Sequence, residues 1–173
     1  CWEEKGEIDS GEILKNRRQY YNCEIPQKVL CLTAAVDVQD NRLEYEIVGW
    51  GLDYESWGIK YGQIMGDPGQ KNVWVELDKI LAKNYTREDG QILQILTTCI
   101  DSGGHNTDEV YKYCKIREFQ RVWAIKGQGG LGIPLIKRPK RRNDSGIWLF
   151  MLGVDAGKDI VMSRLKQEIE GPG

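Results

Sequence analysis

The chain of 173 residues suits one domain of ordinary size, and a composition of 40% hydrophobic and 29% charged residues is that of a globular protein rather than a disordered one. The net charge of −2 excludes a molecule that is basic overall, although its positive charges are unevenly distributed. No apolar run approaches the ~20 residues that cross a bilayer, so we predict no membrane span.

The first 28 residues are mostly polar, and Pro26 lies close before the first apolar run. A short helix is expected within them, from Ser10 to Tyr20, with Ser10 as its N-cap. We interpret residues 1–28 as a linker or the tail of a preceding domain. Residues 29–173 are then the main domain.

A β-hairpin is predicted next. Residues 30–36 are a nearly continuous apolar run that ends at Asp37, and residues 43–50 alternate apolar with charged or bulky side chains. The first pattern indicates a strand covered on both faces, and the second a half-buried strand. The dipeptide Asp-Asn at 40–41 suits a tight turn because both residues tolerate positive φ. Such a turn places Asp37 opposite Glu44, on one face of the sheet, which is costly unless a cation lies between the two carboxylates.

The remaining elements predict an α/β fold. In chain order they are a strand at 56–65, a helix at 71–83, a strand at 92–100, a helix at 106–118, strands at 120–126, 133–136 and 147–152, and a last helix at 155–169. Three meandering strands followed by strand–helix units indicate a mixed sheet flanked by helices, with the first and fourth strands adjacent and parallel. On the third strand we expect one face to carry Trp57, Ile59, Tyr61 and Met65.

Two aspartates end two of these strands. Asp37 follows the first apolar run and Asp101 follows the fourth strand. Because ligands bind at the carboxyl ends of parallel strands, the two carboxylates are expected to converge there. Such a pair fits Mg²⁺, and two cations about 4 Å apart can clamp the attacking and leaving oxygens of a phosphodiester. The simpler alternative is that each Asp only stabilises a turn.

A basic segment follows later in the chain. It holds five positive charges in six residues, namely Lys137, Arg138, Lys140, Arg141 and Arg142. A phosphate backbone is its natural partner, and a solvated turn is the alternative. Lys126, at the end of a predicted strand, is a further candidate for contact with a phosphate.

Other features have simpler structural interpretations. Gly127–Gly132 matches G-x-G-x-x-G by letter, but a strand follows it rather than a helix, so we predict a flexible loop and no dinucleotide site. His105, the only histidine, excludes a multi-histidine zinc site. Asp155 is most simply the N-cap of the last helix. Five cysteines without CxxC spacing favour reduced thiols in a cytoplasmic protein.

Three segments together resemble one family. LTAAVDVQDNRLEYEIVGWGLDYESWGI, CIDSGGHNTDEVYKYC and VWAIKG are similar to the C-terminal endonuclease domain of the lambda-type terminase large subunit of bacteriophages and prophages. The leading WEEKGE and YNCEIP resemble the linker that joins this nuclease to a packaging ATPase. The resemblance covers nearly the whole chain.

The resemblance implies a ribonuclease-H-like fold and a metal-dependent endonuclease that cuts concatemeric DNA during genome packaging. Asp37 would be the first ligand of a site for two Mg²⁺ or Mn²⁺ ions, and Asp101 the second. The family places a third acid on a helix near its C-terminal end. We find no matching motif before Gly173, which leaves open a domain truncated at its C-terminus. Glu44 is then the substitute within this chain, on the hairpin register alone.

The resemblance also implies partners. These are double-stranded DNA and, through the full-length protein, the small terminase subunit and the portal or procapsid, in the cytoplasm of the bacterial host. No Walker-type phosphate loop is present, so ATP hydrolysis would belong to another part of such a protein. Two alternatives stay open: a non-catalytic module that grips DNA in the packaging motor, and another ribonuclease-H-like nuclease of the resolvase or transposase type.

Overall fold

A seven-stranded mixed sheet organises residues 25–165, the part of the chain that the computed structural model describes. The strands are β1 (Cys31–Val38), β2 (Arg42–Trp50), β3 (Ser56–Met65), β4 (Tyr85–Thr86), β5 (Ile92–Leu93), β6 (Ile95–Asp101), β7 (Val122–Gln128), β8 (Ile136–Lys137) and β9 (Leu149–Gly153). The helices are α1 (Lys71–Leu81), α2 (Thr107–Lys115) and α3 (Val154–Leu165). The large sheet has the order β3-β2-β1-β6-β7-β9-β8, and β4 pairs with β5 in a separate hairpin.

The predicted fold class is confirmed. β1, β2 and β3 form an antiparallel meander, while β1, β6, β7 and β9 are parallel neighbours. The first and fourth predicted strands, β1 and β6, are therefore adjacent and parallel. This α/β arrangement is consistent with a ribonuclease-H-like fold. The predicted helix at 10–20 and the end of the last helix beyond residue 165 lie outside the described residues.

One face of the sheet forms the core. Helices α1 and α2 cover it with an apolar stripe each, consisting of Val73, Trp74, Leu77, Val110, Tyr113 and Cys114. They pack on buried strand residues such as Leu32, Ile47 and Ile100, all 0% exposed. Burying each such side chain stabilises the fold by about 1.5–3 kcal/mol. Ile25 is also buried, at 1% exposure, so the packed part of the chain includes residue 25.

The other face is more open than the sequence indicated. In β1, Leu32, Ala34 and Val36 are buried, whereas Ala35 and Asp37 are exposed. The prediction that this strand is covered on both faces is therefore wrong within the described residues. Small residues made the apolar run look continuous, although only every second side chain enters the core.

A β-bulge changes which side chains of β3 face the core. Ile47 pairs with Lys60 and Val48 with Gly58, so Ile59 has no partner position. Beyond the bulge Ile64 is buried, while Tyr61 is 47% exposed. The prediction of one apolar face along the whole strand is wrong, because the extra residue reverses the alternation. Tyr61 now lies on the same face as β2 residues that point away from the core.

Element boundaries differ where special residues interrupt a pattern. The predicted strand at 92–100 is divided into β5 and β6, and the strand predicted at 133–136 is reduced to β8. Pro134 cannot donate a ladder hydrogen bond, which explains the later start of β8. Among residues 25–165, no helix is long and apolar enough to cross a membrane.

Two polar networks connect the elements. Asp78 of α1 accepts hydrogen bonds from Arg117 Nε and the Tyr113 hydroxyl, both at 2.7 Å. In the β4–β5 turn, Arg87 donates to both carboxylate oxygens of Asp89, at 2.9 and 2.6 Å, and to the carbonyl oxygen of Val29 at 2.9 Å. The first network fastens α1 to the end of α2, and the second fastens the hairpin to the segment before β1.

Candidate active site

Asp37 and Asp101 lie level with each other on adjacent parallel strands. Val36 pairs with Ile100, so the next residue of each strand is the aspartate. Side chains of parallel partners share a face, and here it is the face opposite the helical layer. The convergence predicted from the sequence is thus present in the backbone arrangement of β1 and β6.

Each aspartate is oriented by a donor two residues further along the chain. Gln39 Nε2 donates to Asp37 Oδ2. The backbone N–H of Gly103 donates to Asp101 Oδ1 at 2.9 Å. A Cβ at Gly103 would lie 3.2 Å from the same oxygen, so glycine lets the loop pass close to the carboxylate. A carboxylate offers about four lone-pair sites, and one such bond leaves the others available.

Glu44 lies opposite Asp37, as the hairpin register predicted. Its oxygens are already engaged: Arg42 Nε donates to Oε1 at 2.6 Å, and the Tyr61 hydroxyl donates to Oε2 at 2.8 Å. The hydrogen bond from Tyr61, followed by that from Arg42, lowers the pKa of Glu44. These contacts compete with a cation, and the role of Glu44 as a metal ligand stays a prediction.

The loop after β6 borders the two aspartates. Ser102, 1% exposed, donates from its Oγ and its backbone N–H to the carbonyl oxygen of Ile125, at 2.8 and 2.9 Å. His105 lies further along this loop, just before α2, with its Nδ1 3.4 Å from Oδ1 of Asp40 in the β1–β2 turn. The loops that follow the two aspartate strands therefore meet at this edge.

Lys126 lies at the same edge of the sheet as Asp101, but its side chain is on the other face. Ile125 pairs with Asp101 across the β6–β7 ladder, and Lys126 is the next residue. Because side chains alternate along a strand, Lys126 points away from the face that carries Asp101. It is exposed, so its contact with a phosphate stays a prediction.

The basic segment extends away from the aspartates. Lys137 pairs with Met151 in antiparallel β8, so the chain runs from the carboxyl end of β9 towards its amino end. At the far end Arg142 donates to both oxygens of Glu118 at 2.6 Å, and its guanidinium lies 5.3 Å from the Trp148 ring centroid. Hydrogen bonding to Glu118 raises the pKa of Arg142.

The other basic residues of the segment differ from Arg142. All four are exposed, and none is in an ion pair with an acidic residue among residues 25–165: Lys137, Arg138, Lys140 and Arg141. Only these members of the run keep their charge available for a partner outside the domain.

Sequence comparison identifies the family. The family model described as the endonuclease domain of the terminase large subunit gpA matches residues 1–173. The chain belongs to this family. The large terminase subunits of Escherichia phage lambda and Enterobacteria phage P21 are 34% and 33% identical to it, over 98% and 96% of the chain. It spans about a quarter of their length, 27% and 26%. No solved structure matches it.

The donor set of this terminase endonuclease domain fits a hard divalent cation only in part. Asp37 and Asp101 are two oxygen donors on one face, and Mg²⁺ needs few protein carboxylates because it keeps several waters. Within the described range, however, no three or more His, Cys, Asp or Glu residues are grouped closely enough to hold a metal ion. The two aspartates are therefore the core of a candidate cation site rather than a complete one.

A third acid of the terminase endonuclease domain reaches the same edge. Asp155 is the second residue of α3, two residues after β9, which is parallel to β7. Its Oδ2 accepts a hydrogen bond from the Gly130 backbone N–H at 2.8 Å. The prediction that Asp155 is the N-cap of the last helix is wrong, because α3 begins one residue earlier, at Val154. The signal that could have found it is a third strand with an Asp close after it, since β9 ends at Gly153.

Proposed function

We propose that this domain is a metal-dependent endodeoxyribonuclease that cuts double-stranded, concatemeric phage DNA during genome packaging. The observation that carries the proposal is the level placement of Asp37 and Asp101 at the carboxyl ends of two adjacent parallel strands. Such carboxylates suit Mg²⁺ or Mn²⁺. When bound, these ions supply a water of lowered pKa and stabilise negative charge on the phosphoryl oxygens.

The residues of the chain have separate roles in this proposal. Asp37 and Asp101 hold the cations, and Gln39 and Gly103 fix the direction of the two carboxylates. Asp155 is the third acid, because it follows β9, which lies two strands from β6 in the sheet and ends at the same edge. Asp155 replaces Glu44 in that role because the Glu44 oxygens are engaged by Arg42 and Tyr61.

DNA would be held mainly through its phosphates. The candidates are the exposed basic residues Lys126, Lys137, Arg138, Lys140 and Arg141. Contacts of this type position the duplex but carry no base information, so cleavage by this domain alone should have weak sequence preference. The small terminase subunit and the portal or procapsid would direct the cut through the full-length protein.

A second candidate function is a DNA-gripping module without catalysis. The observation that favours it is the lack of a group of three acidic, histidine or cysteine residues close enough for a metal ion among residues 25–165. Such a module would bind duplex DNA with strong salt dependence and would not require a divalent cation.

The deciding experiment is nicking of supercoiled plasmid in Mn²⁺. The wild-type chain is compared with Asp37→Asn, Asp101→Asn and the matched control Asp40→Asn, which changes an exposed carboxylate in the adjacent turn. Nicking by the wild type and the control, and none by the other two, supports the nuclease. Salt-dependent DNA binding by a wild type that never nicks supports the gripping module. Nicking by Asp37→Asn removes Asp37 from the mechanism.

Asp155 needs a readout other than activity. The Asp155→Asn side chain can still accept the hydrogen bond from Gly130, so the loop geometry is retained. Mn²⁺ titration followed by electron paramagnetic resonance should show weaker binding in Asp155→Asn than in the wild type. Equal binding by both proteins would exclude Asp155 as a ligand.

A further inference from the structure

The loop after β7 carries a leucine at its tip. Leu131 is 98% exposed and lies between Gly130 and Gly132, whose φ angles are 136° and 75°. Residues with side chains rarely adopt such angles, so the two glycines allow the chain to turn sharply on each side of Leu131. The side chain is directed into solvent by the backbone that carries it.

The segment that carries Leu131 is anchored to the sheet and to α3. The Gly130 N–H is bonded to Asp155, and the Leu135 carbonyl oxygen accepts a hydrogen bond from Gly153 N–H at 3.0 Å. A Cβ at Gly153 would lie 2.6 Å from the carbonyl oxygen of Pro134, so the returning chain lies directly on the end of β9. An anchored tip loses less conformational entropy on binding than a free one does.

Leu131 is close to the candidate active site along the chain. Ile125 is level with Asp101 on the neighbouring strand, and Leu131 follows it by six residues. Six residues span at most about 20 Å. Gly130 is bonded to Asp155, which follows the parallel strand β9, so the tip lies at the same edge of the sheet as Asp101.

The segment that follows Leu131 is first apolar and then basic. Leu135 and Ile136, 45% and 55% exposed, continue the apolar surface along the same segment. Lys137 follows it, exposed and in no ion pair with an acidic residue within the described chain, whereas Lys126, before it, points away from the face that carries Asp101. Single exposed leucines are ordinary, but an apolar tip followed by a basic segment matches duplex DNA, in which apolar base faces lie next to charged phosphates.

We propose that Leu131 is a wedge that enters the minor groove of duplex DNA and partly unstacks one base step near the cut. The inference rests on the proposed function, because it assigns a contact to the same DNA. Apolar side chains inserted between base steps kink the duplex, and the minor groove is about 6 Å wide, enough for one such side chain. Such a kink bends the duplex towards its major groove and widens the minor groove at the step that Leu131 enters.

The test uses duplexes that contain several 2-aminopurine bases, whose fluorescence rises on unstacking. The whole chain is titrated in EDTA, so that no cutting occurs, and anisotropy reports binding. Variants are Leu131→Ser, Leu131→Phe, which retains an apolar wedge, and Phe119→Ser. Phe119 is 81% exposed and lies before β7, at the opposite end of that strand, so it is a matched control.

We expect a fluorescence rise at saturation with the wild type, Leu131→Phe and Phe119→Ser, and none with Leu131→Ser. If Leu131→Ser binds too weakly to saturate, a duplex with a central mismatch, which is already poorly stacked, should restore its binding. Equal fluorescence from the wild type and Leu131→Ser would overturn the wedge. So would a loss of Leu131→Ser binding that is the same on the fully paired duplex and on the mismatched one.

Failure of the wedge and failure of the proposed function can be told apart. Salt-dependent binding of the wild type without any fluorescence rise overturns the wedge and leaves DNA binding in place. A wild type that does not bind the duplex overturns both the wedge and the DNA contacts of the proposed function.

Discussion

Asp37 and Glu44 are direct partners across the β1–β2 ladder, yet their carboxylates have different surroundings. Glu44 is bonded by the Arg42 guanidinium and by Tyr61 from the next strand. Asp37 is exposed and is bonded by the neighbouring Gln39. An acid already paired with a guanidinium gains little from a cation, whereas neither Asp37 nor Asp101 is in an ion pair among residues 25–165.

This difference predicts unequal effects of two isosteric substitutions. Asp37→Asn should reduce plasmid nicking at least about a hundredfold, because it removes a charged oxygen donor from the cation site. Glu44→Gln should remain within about threefold of the wild type, because its amide oxygen can still accept from Arg42 while its NH₂ group donates to the Tyr61 hydroxyl, which can also accept. Rates are measured in Mn²⁺ at equal protein concentration. If Glu44→Gln loses both nicking and Mn²⁺ binding, the metal role first assigned to Glu44 is correct.

The basic segment should divide into DNA-binding and structural members. Lys137→Gln and Arg138→Gln should each reduce the slope of log K against log salt by about 1, since each removes one phosphate contact. Arg142→Gln should leave the slope unchanged and lower the Tm, because Glu118 loses its partner. Anisotropy titrations between about 50 and 200 mM salt measure the slopes. A reduced slope in Arg142→Gln would show that its guanidinium leaves Glu118 for DNA.

The contact between α1 and the end of α2 depends on one carboxylate. Asp78→Ala leaves Arg117 and Tyr113 without their acceptor, so we expect a loss of about 1–3 kcal/mol in the free energy of unfolding. Burial raises the pKa of Tyr113, so its hydroxyl remains a donor at neutral pH. Urea denaturation measures the change. The control is Glu76→Ala in the same helix, whose ion pair with Lys79 is exposed and should contribute less than about 0.5 kcal/mol.

The β4–β5 turn should become sensitive to acid through Asp89. Hydrogen bonding from Arg87, with a smaller contribution from the Gln91 backbone, lowers the pKa of Asp89 to about 2 from its ordinary 3.8. Because the folded pKa is below the unfolded one, the stabilisation is complete above the unfolded value and is lost as pH falls from about 4 towards about 2. The Tm of the wild type should therefore exceed that of Asp89→Asn at pH 6, and the difference should shrink below pH 4. A difference that stays constant down to pH 2 would contradict this.

Local sequence patterns predicted much of the fold. Apolar runs, alternation and the Asp-Asn turn predicted β1, β2 and their register correctly, because a two-residue turn fixes which side chains face each other. The strand-then-Asp pattern also predicted that Asp37 and Asp101 end parallel neighbours. The predicted metal and DNA roles of these residues remain untested.

Other features depended on contacts between distant segments. The bulge in β3 brought Tyr61 to Glu44, and Glu118 engaged Arg142, a residue that the sequence alone placed with its basic neighbours. Asp155 joined the edge only because β9 lies parallel to β7 in the sheet. No short-range pattern encodes these outcomes.

The sequence by itself therefore determined the α/β class, the family and the two aspartates that end β1 and β6. Periodicity and turn chemistry act over a few residues, and those residues are adjacent in the chain. The tertiary structure decided which charged residues are in ion pairs, and it brought Asp155 to the edge of the sheet that carries Asp37 and Asp101. Those properties follow from sheet order and packing, which bring together residues that are 17 to 25 positions apart.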